Sequence, residues 1–289
     1  MRLAHALHEG AYVLAEAGVD APMADARVLA EHVIGAPLYA AAGDLDDAAW
    51  SRYMALIGRR AAREPLQHIT QRMAFRFLDL HARDGVFVVR PETEWVVDSA
   101  IERSRHLVDA GRRPLVLDWC AGSGAIGIAL ATEVAGIDVI AVEIDAAACD
   151  LARLNAREHV PAPGSTWNLV HADACDEQVL AEYDGDVDII VTNPPYVVAD
   201  TISQPEALRD PARALYGGGP DGLDVPRALV RRAQRALAAD GLLVMEHGEE
   251  QGPALVEAAR ACGFEARACR DATGRVRWLE AYSPGAQRS

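Results

Sequence analysis

Beyond Arg90 the chain alternates short, branched apolar runs with helix-length amphipathic stretches, and this alternation restricts the fold more than any other feature. The runs are Leu115–Asp118, Val139–Glu143, Trp167–Val170, Val187–Val191 and Leu242–Glu246. Between them lie Ala125–Val134, Ala146–Glu158, Pro226–Ala238 and Gln251–Cys262, all patterned as helices. Strands that are apolar on both faces need cover on both faces. The pattern therefore predicts an α/β, Rossmann-like, largely parallel sheet between helical layers. Such sheets bind ligands at the carboxyl ends of their strands. Ala266–Arg270 and Arg275–Glu280, separated by Asp271-Ala272-Thr273-Gly274, predict a terminal hairpin.

The chain before Arg90 has a different character. Leu3, Leu7, Val13 and Leu14 approximate one helical face, Val28, Leu29, His32 and Val33 another, and Trp50, Tyr53, Leu56 and Ile57 a third, for which Asp46 or Asp47 is a candidate cap. Phe75–Leu80 and Gly85–Val89 look extended and flank a turn at Arg83-Asp84-Gly85. The predicted organisation is a helical bundle over 1–70, a β-hairpin linker over 71–90 and a sheet domain over 91–289. A length of 289 residues accommodates one small and one ordinary unit.

Composition narrows the partners. With 28 Lys and Arg against 43 Asp and Glu, the formal charge is −15, and the average surface repels phosphate backbones. Two arginine clusters, Arg59, Arg60 and Arg63, then Arg227, Arg231, Arg232 and Arg235, lack interleaved aromatics and read as solvated helix faces. A nucleic acid substrate is therefore not expected. Five cysteines without paired spacing suggest neither a disulfide framework nor a metal site, and a reducing, cytoplasmic setting follows. No leader or membrane-length apolar run is evident, so no membrane association is expected.

Two segments carry chemistry. Asp118-Trp119-Cys120-Ala121-Gly122-Ser123-Gly124 follows a strand and opens a helix, and glycines at 122 and 124 let the backbone turn tightly against a ligand. Glu143, at the end of the next strand, is placed to accept ribose hydroxyls, and Asp173, just past the third run, to accept an adenine amine. Dinucleotide enzymes share this arrangement. An aspartate opening the loop, at Asp118, is suited to an ammonium group and favours a sulfonium methyl donor instead. At the end of the fourth run stands Asn193-Pro194-Pro195-Tyr196. Two prolines cannot continue a sheet, so the Asn193 side chain and the Pro194 carbonyl are offered at the edge as a rigid pair of acceptors. Such a pair grips a planar amide or amine by both hydrogens. A flanking Tyr196 ring is suited to stack on the flat group. An adenine-N6 methyltransferase acting on a flipped base needs the same grip, but the acidity and lack of a DNA-recognition module argue against it.

The Asn-Pro-Pro-Tyr segment resembles the signature of amino-methyltransferases. The wider chain resembles the peptide chain release factor glutamine methyltransferases, through Pro65–Thr70, Arg90-Pro91-Glu92-Thr93-Glu94, Asn155-Ala156, Gly218–Leu223, Glu246–Gln251 and Asp271–Arg275. The resemblance implies a seven-stranded class I methyltransferase fold using S-adenosylmethionine and releasing S-adenosylhomocysteine. It implies a substrate in release factors 1 and 2, the glutamine of their Gly-Gly-Gln motif. Asp118, Cys120, Ala121, Gly122, Gly124, Glu143, Ile144, Asp173, Ala174 and Asn193 are the implied donor contacts. Asn193, Pro194, Pro195, Tyr196, Arg90 and Glu92 are the implied substrate contacts, with Asn193, Pro194 and Tyr196 catalytic and no metal involved. Cys120, Ala121 and Gln71 depart from the family pattern, which commonly has glycine, threonine and glycine there.

Overall fold

The computed structural model describes residues 1–40, 44–199, 201–202 and 204–285. They divide into two units. One takes Met1–Arg72, Ala82–Asp84 and the stretch from Gln204 to Arg209; the other takes Met73–His81, Gly85–Ile202 and the chain from Asp210 onward.

The first unit is the helical one, built from α1 (Leu3–Glu16), α2 (Pro22–Ile34), α3 (Asp47–Ala61) and α4 (Leu66–Thr70). Asp46 is the cap of α3, its carboxylate accepting from the Ala49 N–H at 2.7 Å. The apolar faces meet in a core of Leu14, Leu29, Tyr53 and Ile57, all fully buried. Gln71 ends α4 with φ 58°, a left-handed position where a glycine is the unstrained choice. The Gln204–Arg209 stretch, expected from sequence in the sheet domain, joins this unit through Glu206. Its carboxylate accepts from Arg60 at 2.7 Å and from Arg63 at 2.7 and 2.8 Å. Although burial opposes it, these hydrogen bonds from Arg63 and Arg60 hold the Glu206 carboxyl down to about 2.

The second unit opens, from Met73, with a two-stranded hairpin of β1 (Arg72–Phe75, its first residue counted with the first unit) and β2 (Leu78–His81). This corrects the sequence reading, which took Phe75–Leu80 as one strand and placed the turn at residues 83–85. The turn falls at Arg76, which has φ 52°. Its guanidinium is drawn into the unit by Glu133 at 2.6 and 2.9 Å, Asp98 at 2.8 Å and the Glu94 carbonyl at 3.1 Å. A tertiary ion pair thus overrides a continuous strand pattern. Gly85–Val89 forms no strand, but Val86 and Val88 are buried as an alternating pattern requires, and Val86 packs on Ala148 and Leu151.

There follow α5 (Thr93–Asp109), β3 (Leu115–Trp119), α6 (Ala125–Glu133), β4 (Asp138–Glu143), α7 (Ala146–Glu158), β5 (Thr166–His171) and β6 (Val187–Thr192). The chain ends with α8 (Ala212–Leu215), α9 (Asp224–Ala236), β7 (Leu237–Glu246), α10 (Gly252–Ala261), β8 (Glu265–Arg270) and β9 (Val276–Tyr282). The sheet order is β5-β4-β3-β6-β7-β9-β8. Strands β3 to β7 are parallel, and the hairpin of β8 and β9 adds antiparallel strands at one edge. This is a seven-stranded, Rossmann-like architecture. Among the described residues no helix is long and apolar enough to cross a membrane, and no cluster of three or more side chains is suited to a metal.

Two features of this unit are testable. Arg76 and Glu133 are each about nine-tenths buried, with 10% of each side chain exposed. Arg76→Ala leaves the Glu133 charge without its partner and is expected to cost about 3 kcal/mol in denaturant unfolding, whereas Arg76→Met with Glu133→Met recovers much of it. Equal losses in the single and double variants would remove the ion pair from the account.

Asp118 is fully buried, with Oδ2 accepting from the Gly127 N–H at 2.8 Å and Oδ1 unpartnered. Burial pushes its carboxyl up to about 8, against the Gly127 hydrogen bond and reinforced by the Glu143 charge. Between about pH 4 and pH 8 the folded chain then keeps a proton that the unfolded chain has lost, so this group lowers stability as pH rises through that window. Asp118→Asn should flatten this part of the profile, read as the difference in unfolding free energy between wild type and variant at the two ends. An unchanged difference would mean that Asp118 does not titrate in the window.

Candidate functional site

The parallel register aligns the strand ends. Trp119 pairs with Val142 on one side and Thr192 on the other, and Thr192 pairs with Met245. The residues that come next, Cys120, Glu143, Asn193 and Glu246, therefore form one row along the carboxyl edge. Thr192 strengthens the alignment, its hydroxyl donating to the Trp119 carbonyl at 2.7 Å.

Over part of this row lies a cavity of about 370 Å³, within the range of small-molecule and cofactor sites. Eight of the sequence-assigned positions line it: Cys120, Gly122, Glu143, Ile144, Asp173, Ala174, Asn193 and Pro195. Glu143 is buried, and each of its oxygens takes one backbone N–H, from Gly122 at 2.7 Å and Asp145 at 2.7 Å. Each oxygen keeps a further lone pair. The carboxylate thus holds the glycine loop against the end of β4. Asp173 caps its own turn by accepting from the Cys175 N–H at 2.8 Å. Cys120 has φ 57°, which accounts for glycine at this position in the family pattern, and burial pushes its thiol well above the ordinary range.

Seven assigned positions do not line the cavity. Asp118 points into the layer between β3 and α6, where it anchors Gly127, because it lies within the strand and not past its end. Ala121 is buried behind the loop, its N–H on the Val142 carbonyl at 3.1 Å, and Gly124 forms the left-handed entry to α6. Pro194 is buried. The Tyr196 ring, expected to stack on a substrate, instead directs its hydroxyl at buried Glu246 Oε1, 3.0 Å away. Arg90 binds Asp210 and sets its guanidinium 5.1 Å from the centre of the Phe87 ring, bracing a wall residue. Glu92 faces Arg277 at 3.8 Å.

Other wall residues, Phe87, Arg213 and Tyr216, were not picked out from sequence. Phe87 and Tyr216 stand outside the helices and strands and Arg213 in the four-residue α8, where neither period nor strand end marks a position. The Gly217–Gly222 stretch has a clear purpose. A Cβ at Gly222, with φ 72°, would lie 2.3 Å from the Tyr196 carbonyl oxygen, and one at Gly217 would lie 2.7 Å from that of Pro195. Gln251 adds a hydrogen bond to the Tyr196 carbonyl at 2.7 Å. Main chain packed against main chain fixes the path of the proline motif. Asn155 does the same for the glycine loop, donating to the Ser123 carbonyl at 2.9 Å while accepting from the His81 N–H at 2.8 Å.

Comparisons with known proteins bear on the whole chain. Residues 5–70 match the PrmC N-terminal domain and residues 104–219 the methyltransferase small domain. A release factor glutamine methyltransferase of Bifidobacterium longum (strain NCC 2705) is 40% identical over 301 residues, spanning 98% of this chain and 100% of that protein. One from Mycobacterium tuberculosis (strain ATCC 25618 / H37Rv) is 37% identical over 99% of this chain and 93% of its own. A 4-amino-L-phenylalanine/4-methylamino-L-phenylalanine methyltransferase of Streptomyces pristinaespiralis is 39% identical over 90% of this chain and 88% of its own. In fold, the chain is similar to a methyltransferase from Pyrococcus furiosus, with TM-score 0.51, 18% identity and coverage of 82% of this chain and 100% of that one. With two relatives so similar along nearly their entire lengths, and with the sheet, glycine loop and proline motif described above, the chain belongs to the release factor glutamine methyltransferase family.

Proposed function

We propose that this protein methylates the side-chain amide nitrogen of the glutamine in the Gly-Gly-Gln motif of peptide chain release factors 1 and 2. The products are N5-methylglutamine and S-adenosylhomocysteine, and the setting is the cytoplasm. The observation that carries this reading is the presence of Glu143 and Asn193 in the wall of one cavity.

The residues fit S-adenosylmethionine, which supplies a methyl group on a positively charged sulfur. Glu143 offers its remaining lone pairs to ribose hydroxyls, and Val142, Ile144 and Ala174 provide an apolar surface for the adenine. Asp173 is the acceptor for the adenine amine. Asp118 acts at one remove, by holding the first turn of α6 behind the loop. At the reaction end, the Asn193 side-chain oxygen and the Pro194 carbonyl hold the two hydrogens of the target amide. An amide nitrogen is a weak nucleophile because its lone pair is delocalised. Fixing it in place, with acceptors that strengthen as the nitrogen becomes positive, lowers the barrier without a strong base.

A protein substrate also suits the surface. Six of the seven arginines that stood out in the sequence are matched with carboxylates: Arg59 with Glu64, Arg60 and Arg63 with Glu206, Arg227 with Asp221, and Arg232 and Arg235 with Asp184. They leave little basic surface for a phosphate backbone. The helical unit is assigned to recognition of the release factor. A chain beginning at Val86 that folds and still methylates release factor at full efficiency would remove that role.

Mass spectrometry of the Gly-Gly-Gln peptide after incubation of unmethylated release factor with enzyme and donor tests the substrate. A gain of one methyl on glutamine is expected. No gain there, with methylation of 4-amino-L-phenylalanine or duplex DNA instead, overturns the assignment. Glu143→Ala should weaken donor binding about tenfold to a hundredfold, the worth of a charge-assisted hydrogen bond, with melting temperature checked because the same carboxylate holds Gly122 and Asp145. Asn193→Ala should leave donor affinity within about a few-fold yet slow single-turnover transfer by about 10²–10³. Wild-type transfer by that variant would take the Asn193 side chain out of the mechanism.

A further inference from the structure

An asparagine amide is nearly symmetric in shape but opposite in character at its two ends. If Asn193 turned its NH2 group toward a substrate NH2, the two would repel, so the grip depends on whatever fixes the rotamer. The structure supplies a neighbour for this. Asn193 Nδ2 donates to Thr93 Oγ1 at 3.3 Å, and Thr93 is wholly buried at the start of α5. A hydroxyl that accepts from an amide must send its own proton elsewhere. Glu246 has 1% of its surface exposed; its Oε1 receives the Tyr196 hydroxyl at 3.0 Å, while its buried Oε2 has no hydrogen-bond partner among the described residues and is open to accept the Thr93 proton.

We propose that Thr93 and Glu246 are positioning residues that lock Asn193 with its side-chain oxygen toward the substrate amide. An ionised carboxylate can only accept, so it draws the hydroxyl protons of Thr93 and Tyr196 toward itself. Thr93 then has only lone pairs to offer Asn193, the asparagine NH2 is held by them, and its oxygen faces the other way. Direction thus passes from Glu246 through Thr93 to Asn193. The same carboxylate explains why Tyr196 turns inward and not onto the cavity. This inference rests on the assignment of Asn193 to the substrate grip.

The charged and titratable groups facing Glu246 are Tyr196, Glu92 ahead of α5, and Arg277 on β9, itself bound to Asp271 at 3.1 Å. Its neighbour His247 points its Nδ1 at the Gly248 carbonyl, 2.8 Å away. Burial pushes the Glu246 carboxyl up to about 7, against the opposing pull of the nearby Thr93 and Tyr196 hydroxyls. Protonation turns one of its oxygens into a donor and releases the direction of the chain.

Single-turnover methylation of unmethylated release factor, with donor titration of each variant, tests the proposal. Thr93→Val keeps the shape and removes the hydroxyl. It should slow transfer about tenfold to a hundredfold with donor affinity within about a few-fold, and Thr93→Ser should restore most of the rate. In the Asn193→Ala background, Thr93→Val should have no further effect, because the group it orients is gone. The wild-type transfer rate should rise with pH through about 7, and Glu246→Gln should abolish that rise. Wild-type transfer by Thr93→Val, or the same loss in both backgrounds, overturns the positioning role while leaving the Asn193 reading intact. A fully active Asn193→Ala enzyme overturns both. Should Thr93→Val fold poorly, the pH profile of Glu246→Gln decides alone: a rise like that of wild type overturns the proposal.

Discussion

The parallel register of β4, β3, β6 and β7 is the constraint on which the rest of this molecule depends. Hydrogen-bonded ladders make the four strands end at one level, and the chain then supplies a different chemical group at each exit: Glu143, Cys120, Asn193 and Glu246. Glu143 and Glu246 are the last residues of their strands, and Cys120 and Asn193 the first beyond theirs. Slipping one strand by a single residue would turn each of its side chains to the other face of the sheet and remove its group from the row. Precision at the site is thus inherited from the least polar part of the structure, where Val142, Val191 and Val244 are fully buried.

What the sequence reveals and what it hides follow from the range of the interactions involved. The strands were legible because burial on both faces leaves a continuous apolar run, and the glycine loop because positive φ is a local demand. Glu143 and Asn193 were legible as polar groups ending such runs. The turn at Arg76 was not, since Phe75–Leu80 reads as a strand and the reversal is imposed by Glu133, 57 residues away in sequence. Nor was the inward turn of Asp118 and Tyr196. In each case the residue type was read as facing a ligand, while its partner, Gly127 or Glu246, is defined only once the elements pack. The Gln204–Arg209 stretch likewise follows a long-range ion pair, Glu206 with Arg60 and Arg63, which no local pattern announces.

The net charge of −15 acquires a physical sense in the same way. Most of the conspicuous arginines face a carboxylate on another segment or a nearby turn. The acidic excess is therefore left to set the field of the surface. An enzyme with such a field discourages phosphate-rich partners at long range and leaves recognition to close contact.

The glycine stretch packed on the proline motif carries a further consequence, for how such a site can change over time. Where Gly217 and Gly222 press against the carbonyls of Pro195 and Tyr196, no side chain can be introduced without displacing backbone, so that side of the cavity is closed to gradual variation. Phe87, Arg213 and Tyr216, which line the cavity with their side chains, carry no such restriction. Drift in what the cavity admits is thereby channelled to those side chains, while the groups at the strand ends stay where the sheet has put them.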